Sequence, residues 1–317
     1  MRILVYGAGV VGSLYGARLA EAGHEVVLLA RGRRLAELRQ HGVILEEART
    51  GARTQVHVPV FDRLWPGDPW DLVVVAVLRQ SVRAILPDLR ASAAPSVLFL
   101  VTTAVHPQRW IEAVGEERFL AGIPGAGGER RGPVVRYSIA PPLLFPTVLG
   151  EPGPKVGPRL RRVAQAFREA GFAVAARGGI EDWVRTHAAI ATPVAQALHA
   201  AGGDPRRLAR SGRLLDLLVR SVGENLSALE MDGVRIRPLH LASFGNAPAP
   251  LLRALLRRVL GSPHARNAVA PHARASRAEV RAIAADLRQL AEGCWLLAEA
   301  GERLEEAAEA SAGPPAG

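Results

Sequence analysis

Cysteine is nearly missing from this chain of 317 residues: Cys294 stands alone. No intrachain disulfide can form, and neither a CxxC pair nor a Cys/His cluster offers a zinc site, so a reducing, cytoplasmic compartment and a metal-free site are expected. Lysine is just as scarce. Of 40 Lys and Arg side chains only Lys155 is a lysine, and the rest are arginine. Aromatic residues make up 5%, too few for base-stacking platforms. The arginines behind the net charge of +10 recur along nearly every segment instead of gathering in one stripe, so nucleic acid is not an expected partner. No uncharged apolar run approaches the ~18 residues that would suggest a membrane span. The first strand runs directly into a glycine turn, with no room for a signal peptide, so no membrane partner is expected.

What is present is ordinary globular material, 49% hydrophobic and 22% charged, in a length that suits two cores. Ile3 to Tyr6 is a short apolar run of the buried-strand kind, followed at once by Gly7, Ala8 and Gly9. Small and apolar residues at helical spacing then predict a helix over Val10 to Glu21, and Glu25 to Leu29 predicts a second strand, one βαβ unit within ~30 residues. Further strands are expected at Asp71 to Val77 and Val97 to Val101, with a helix over Val82 to Leu89 between them. Irregular strands are expected within Gly122 to Gly157, before a helix over Pro158 to Ala170. After Gly178 and Gly179 the periodicity is helical throughout: Asp182 to Ala201, Leu208 to Met231, Leu251 to Leu260 and Ser276 to Ala300. The expected class is α/β, a Rossmann-type doubly wound parallel sheet followed by an all-α domain. Its boundaries are set at 1–178 for the sheet domain, 179–306 for the helical domain and 307–317 for a flexible tail.

Gly7, Gly9 and Gly12 form a GxGxxG turn between a predicted strand and a predicted helix, the context in which that motif holds a dinucleotide pyrophosphate. The candidate cradle is Gly7, Ala8, Gly9, Val10, Val11 and Gly12. An acidic residue ~20 positions on would hold the ribose 2′-hydroxyl of NAD. Here the second strand ends Leu29-Ala30-Arg31-Gly32-Arg33-Arg34, three guanidiniums suited to a 2′-phosphate, so NADPH is the expected cofactor and Arg31 a cofactor ligand.

The run GAGVVGSLYGARLAEAGHEVVLLAR, the later LAGIPGAGG and a tryptophan opening the helical region together resemble the ketopantoate reductase (2-dehydropantoate 2-reductase) family over nearly the whole chain. The resemblance implies a helical domain that closes over an NADPH-binding domain to reduce a 2-keto acid. It also implies a catalytic lysine two positions after the tryptophan, where the frame Trp183-Val184-Arg185-Thr186-His187 places Arg185. The family's asparagine after the strand at 97–101 corresponds to Thr102 or Thr103, its two helical asparagines to Ala189 and Pro193, and its late Ser and Glu to Asn267 and Glu279. Thr103 joins the expected cofactor contacts, and Arg185 and Glu279 the expected substrate contacts. An arginine stabilises an alkoxide but is a poor proton donor, so His187 and His272 become candidate donors. The expected function is NADPH-dependent reduction of a small anionic 2-keto compound. A sensor that keeps the fold without catalysis, or an imine reductase, remains open.

Quieter features have quieter explanations. Trp183 and Trp295 are expected as core anchors, and Glu292, Glu299, Glu302, Glu305 and Glu306 as the solvated face of the last helix. The segment Leu251 to Leu260 reads as a core helix that could also serve a homodimer contact.

Overall fold

The computed structural model describes residues 1–142, 145–242, 244, 247–262, 265–266, 277–296 and 298–311. The chain divides into two compact units, Met1–Val101 with Pro107–Glu181, and Thr102–His106 with the chain from Asp182 onward.

In the first unit β1 (Arg2–Tyr6), α1 (Val10–Glu21) and β2 (Glu25–Leu29) form the expected βαβ unit, and Ile3, Leu4 and Val5 are wholly buried. Next come α2 (Gly32–His41), β3 (Val43–Glu47), β4 (Arg53–Val56), β5 (Val60–Phe61), β6 (Leu72–Val75), α3 (Arg79–Ala91) and β7 (Val97–Phe99). The unit closes with α4 (Gln108–Val114), β8 (Phe119–Ile123), β9 (Ala126–Arg131), β10 (Val134–Ile139), β11 (Thr147–Glu151), α5 (Pro158–Glu169) and β12 (Val174–Gly178). The main sheet runs β12-β11-β8-β7-β6-β1-β2-β5, parallel from β8 to β5, with β11 antiparallel to β8. Strand order reverses between β1 and β6, the place where open α/β sheets leave a crevice at their carboxyl ends. β3 and β4 join β10 and β9 in a second sheet that packs on α1, a pairing no local pattern announces. A buried aromatic stack of Tyr15 on Phe172, centroids 4.2 Å apart, ties α1 to the chain after α5.

The second unit is helical: α6 (Ile180–Ala200), α7 (Pro205–Arg210), α8 (Gly212–Met231), a 3-10 turn at Leu239–Leu241, α9 (Ala249–Leu260), α10 (Arg277–Gly293) and α11 (Glu299–Ala310). α8 packs on α9, α10 and α11. The single helix expected over 208–231 is two, because Ser211 leaves helical geometry and its hydroxyl accepts from the Leu214 amide at 3.3 Å, capping α8. The helix expected over 276–300 is also two. Trp295 sits between them at φ +58 and is 96% exposed, so it is not a core anchor. Helix α11 continues through Ala310, four residues into the expected tail. On α9 only Leu252 and Leu260 are buried, while Leu251, Leu255 and Val259 face outward.

Pro193 lies inside α6 and has no amide proton, so the Ala189 carbonyl loses its helical partner. Asn225 of α8 replaces it, its side-chain amide donating to that carbonyl at 3.1 Å.

Candidate functional site

The glycine turn occupies the switch point of the sheet. The Gly7 amide donates to Leu29 O of β2 at 3.2 Å, and a Cβ on Gly7 would lie 2.6 Å from Ala76 O just after β6. With φ at +107, Gly7 also needs a conformation that other residues resist. At Gly12 a Cβ would stand 1.8 Å from Gly7 O, which would prevent α1 from closing on the turn. Gly9 is the opposite case, since a Cβ there would meet nothing within 4 Å among the described residues. No side chain caps α1 and its first turn holds no acidic residue, so its leading amides are left as donors for an anion. Ala8, Val10 and Val11 complete this cradle.

Arg31 caps α2 beside the turn. Its Nη2 donates to the Tyr6 hydroxyl at 3.0 Å, and that hydroxyl donates to Asp88 Oδ2 at 2.8 Å. Burial first, and Asp88 second, push the Tyr6 phenol well above its usual pKa, so it stays a donor at neutral pH. Arg31 Nε reaches Asp62 O at 3.5 Å, and Nη2 lies 3.9 Å from Asp88 Oδ2. The side chain is 64% exposed. The other two arginines of the strand end differ. Arg34 turns back on the glycine turn, donating to Ala8 O at 3.1 Å and Ser13 Oγ at 3.0 Å, and burial lowers its pKa. Arg33 points to solvent and pairs with Glu37 at 3.3 Å. One of the three guanidiniums, Arg31, is therefore both accessible and beside the cradle. Asp62 and Asp88 reach it from β5 and α3, a neighbourhood that sequence reading missed because neither lies near it in the chain.

In the helical unit Arg185 on α6 is 5% exposed. Its Nε donates to Ala104 O at 2.9 Å and its Nη2 to Asp232 Oδ2 at 2.6 Å. Thr103 precedes that carbonyl, is buried, and donates its hydroxyl to Val105 O at 3.0 Å. The structure thus brings Thr103 and Arg185 to one short segment and adds Asp232, for which the sequence offers only an Asp-Gly turn after a helix. His187 is half-buried two residues along α6, and Glu279 stands in the first turn of α10. Asn267 and His272 lie outside the described residues.

A family profile described as Ketopantoate reductase PanE/ApbA matches residues 3–139. The chain is thus similar to ketopantoate reductases of the PanE/ApbA family through those residues. No curated protein matches the sequence. Among solved structures, a 2-dehydropantoate 2-reductase from Geobacter metallireducens GS-15 is 20% identical at a TM-score of 0.74, covering 98% of this chain and 100% of that one. A PanE/ApbA family ketopantoate reductase from Ralstonia eutropha JMP134 is 20% identical at 0.72, covering 98% of each. D-mandelate dehydrogenase with NADH and anilino(oxo)acetate is 14% identical at 0.75, again covering 98% of each. At these identities the likeness is one of fold over both units.

The ketopantoate reductase resemblance sets expectations for α6 that the family profile, ending at residue 139, does not reach. Where it calls for a lysine the chain has the buried, twice-bonded Arg185, and where it calls for two asparagines it has Ala189 and Pro193. Among the described residues Asn225 meets α6 there, arriving from α8 and engaged with the backbone. No helix among the described residues is long and apolar enough to cross a membrane.

Proposed function

We propose that this chain is an NADPH-dependent reductase of a small carbonyl compound, with an anionic 2-keto acid as its substrate class and the cytoplasm as its compartment. The observation that carries the reading is the pairing of an open, uncapped glycine cradle with an exposed Arg31 at the end of β2, where a ribose-binding carboxylate would otherwise stand. The residues present fit the dinucleotide: the uncapped α1 amides suit an anion, Gly9 leaves room for its approach, and Arg31 offers a planar fork to a phosphate. When bound, the cofactor supplies a hydride.

The chain's own residues have three tasks. Gly7 and Gly12 hold the cradle closed, and Arg34 braces it through Ala8 O and Ser13 Oγ. Thr103 is assigned to the cofactor side through the segment it shares with Ala104. Arg185, whose guanidinium carries five N–H donors, attracts the substrate's carboxylate or steadies the negative charge that develops on the carbonyl oxygen, and Glu279 orients the substrate. Because the guanidinium holds its proton, the alkoxide is protonated by His187 or by water. Loss of near-ultraviolet NADPH absorbance against a panel of 2-keto acids that includes ketopantoate tests the reading. Turnover of any member is the expected result, and absence of turnover across the panel would contradict it.

One observation favours a second reading, a sensor that binds NADP(H) without catalysis. Arg185 is buried and bridges Ala104 to Asp232, as a structural cross-link would. In a working enzyme Arg185→Lys changes the turnover rate, whereas in a sensor it changes only stability or cofactor affinity.

A further inference from the structure

Arg31 opens onto a cleft of about 520 Å³ lined also by Asp62, Arg63, Trp65, Pro87 and Asp88. Its most unusual occupant is Trp65, whose large apolar ring is 55% exposed in a loop that need not carry one. The ring is held rather than loose: the Trp65 amide donates to Asp68 Oδ2 at 3.3 Å, the Asp68 amide returns to Trp65 O at 3.2 Å, and the Trp70 indole anchors the same carboxylate at 3.3 Å. Leu64, beside it, is buried and pins the loop. Arg63 lies over the Trp65 ring at 5.0 Å, its Nε 3.5 Å from Asp62 Oδ1. The Asp62 carbonyl in turn accepts from Arg31, so the two guanidiniums meet around one residue. A planar cation pre-stacked on an indole loses little freedom when it grips a phosphate, and the exposed ring is a platform for a purine.

We propose that Arg63, stacked on Trp65, is a second guanidinium beside Arg31 that grips the cofactor's 2′-phosphate and so selects NADPH over NADH. The inference rests on the NADPH reading above. Asp62 is the counter-ion that a phosphate displaces, and at 55% side-chain exposure it can swing into water at small cost. Asp88 is held by the Tyr6 hydroxyl and stays. The probes are NADPH, NADH, 2′,5′-ADP and 5′-AMP, titrated calorimetrically into the full-length protein and its variants. Arg63→Ala should weaken NADPH and 2′,5′-ADP about tenfold, the scale of one lost charge-assisted contact, and leave NADH and 5′-AMP within about twofold. Trp65→Ala should weaken all four, and Asp62→Asn should tighten only the two 2′-phosphate ligands. Wild-type protein that binds NADPH no better than NADH overturns the cofactor reading together with this inference. A wild-type preference that survives Arg63→Ala overturns this inference alone, as does an Asp62→Asn variant that loses NADH affinity, since Asp62 would then be a ribose ligand.

Discussion

Two arginines three positions apart, Arg31 and Arg34, have opposite surroundings, and their variants should separate accordingly. Arg31→Ala removes an exposed cation and should cost NADPH affinity about tenfold while sparing NADH, whereas Arg34→Ala removes the brace on Ala8 O and Ser13 Oγ and should weaken both dinucleotides alike. Parallel titrations with the two cofactors distinguish these outcomes. Gly12→Ala is harsher. Its Cβ would fall 1.8 Å from Gly7 O, so thermal melts should show a loss of stability of roughly 1–3 kcal/mol together with loss of dinucleotide binding. Arg31 was legible in the sequence because the strand end lies a fixed distance from the glycine turn. The inward turn of Arg34 was not, because its acceptors belong to a turn some 20 residues earlier and are set by packing.

Among elements, α6 depends on α8 at one backbone group. Asn225→Leu would leave the buried Ala189 carbonyl unpaired at a cost of about 1–3 kcal/mol. Pro193→Ala restores an amide at the right position, so the loss should shrink in the double variant, a coupling that denaturant unfolding of the four proteins would reveal. At the start of α11, Glu224 Oε2 accepts from the Ala300 amide at 3.1 Å, yet burial pushes its carboxyl above the usual range. The folded protein therefore binds this proton more tightly than the unfolded chain. Stability from the site is fully present below the unfolded pKa of about 4.3 and is lost as pH rises through the raised folded value. Glu224→Gln should melt higher than wild type at pH 7, and the two should converge near about pH 4; no convergence would show the shift to be absent. Elements with strong local periodicity, such as α1 and β2, were readable to the residue. α2 was not, since Arg31 to Arg34 read as a phosphate loop, and only Leu38 of its residues is buried. The breaks at Ser211 and Trp295 were hidden because apolar spacing runs on across both.

Across the whole molecule, the class of each half was legible from the switch between short apolar runs and helical spacing. The second sheet was not, because β3 pairs with β10 some 90 residues later and nothing local encodes that register. The substrate side is the least legible part. Its expected residues are spread over α6 and α10, with two of them outside the described residues, and the fold alone serves many chemistries. The cofactor side is compact and its claim is sharp. Titration of the purified protein with NADPH and NADH under identical salt tests it most directly: the account predicts at least a roughly tenfold tighter NADPH complex, and equal affinities, or a preference for NADH, would contradict it.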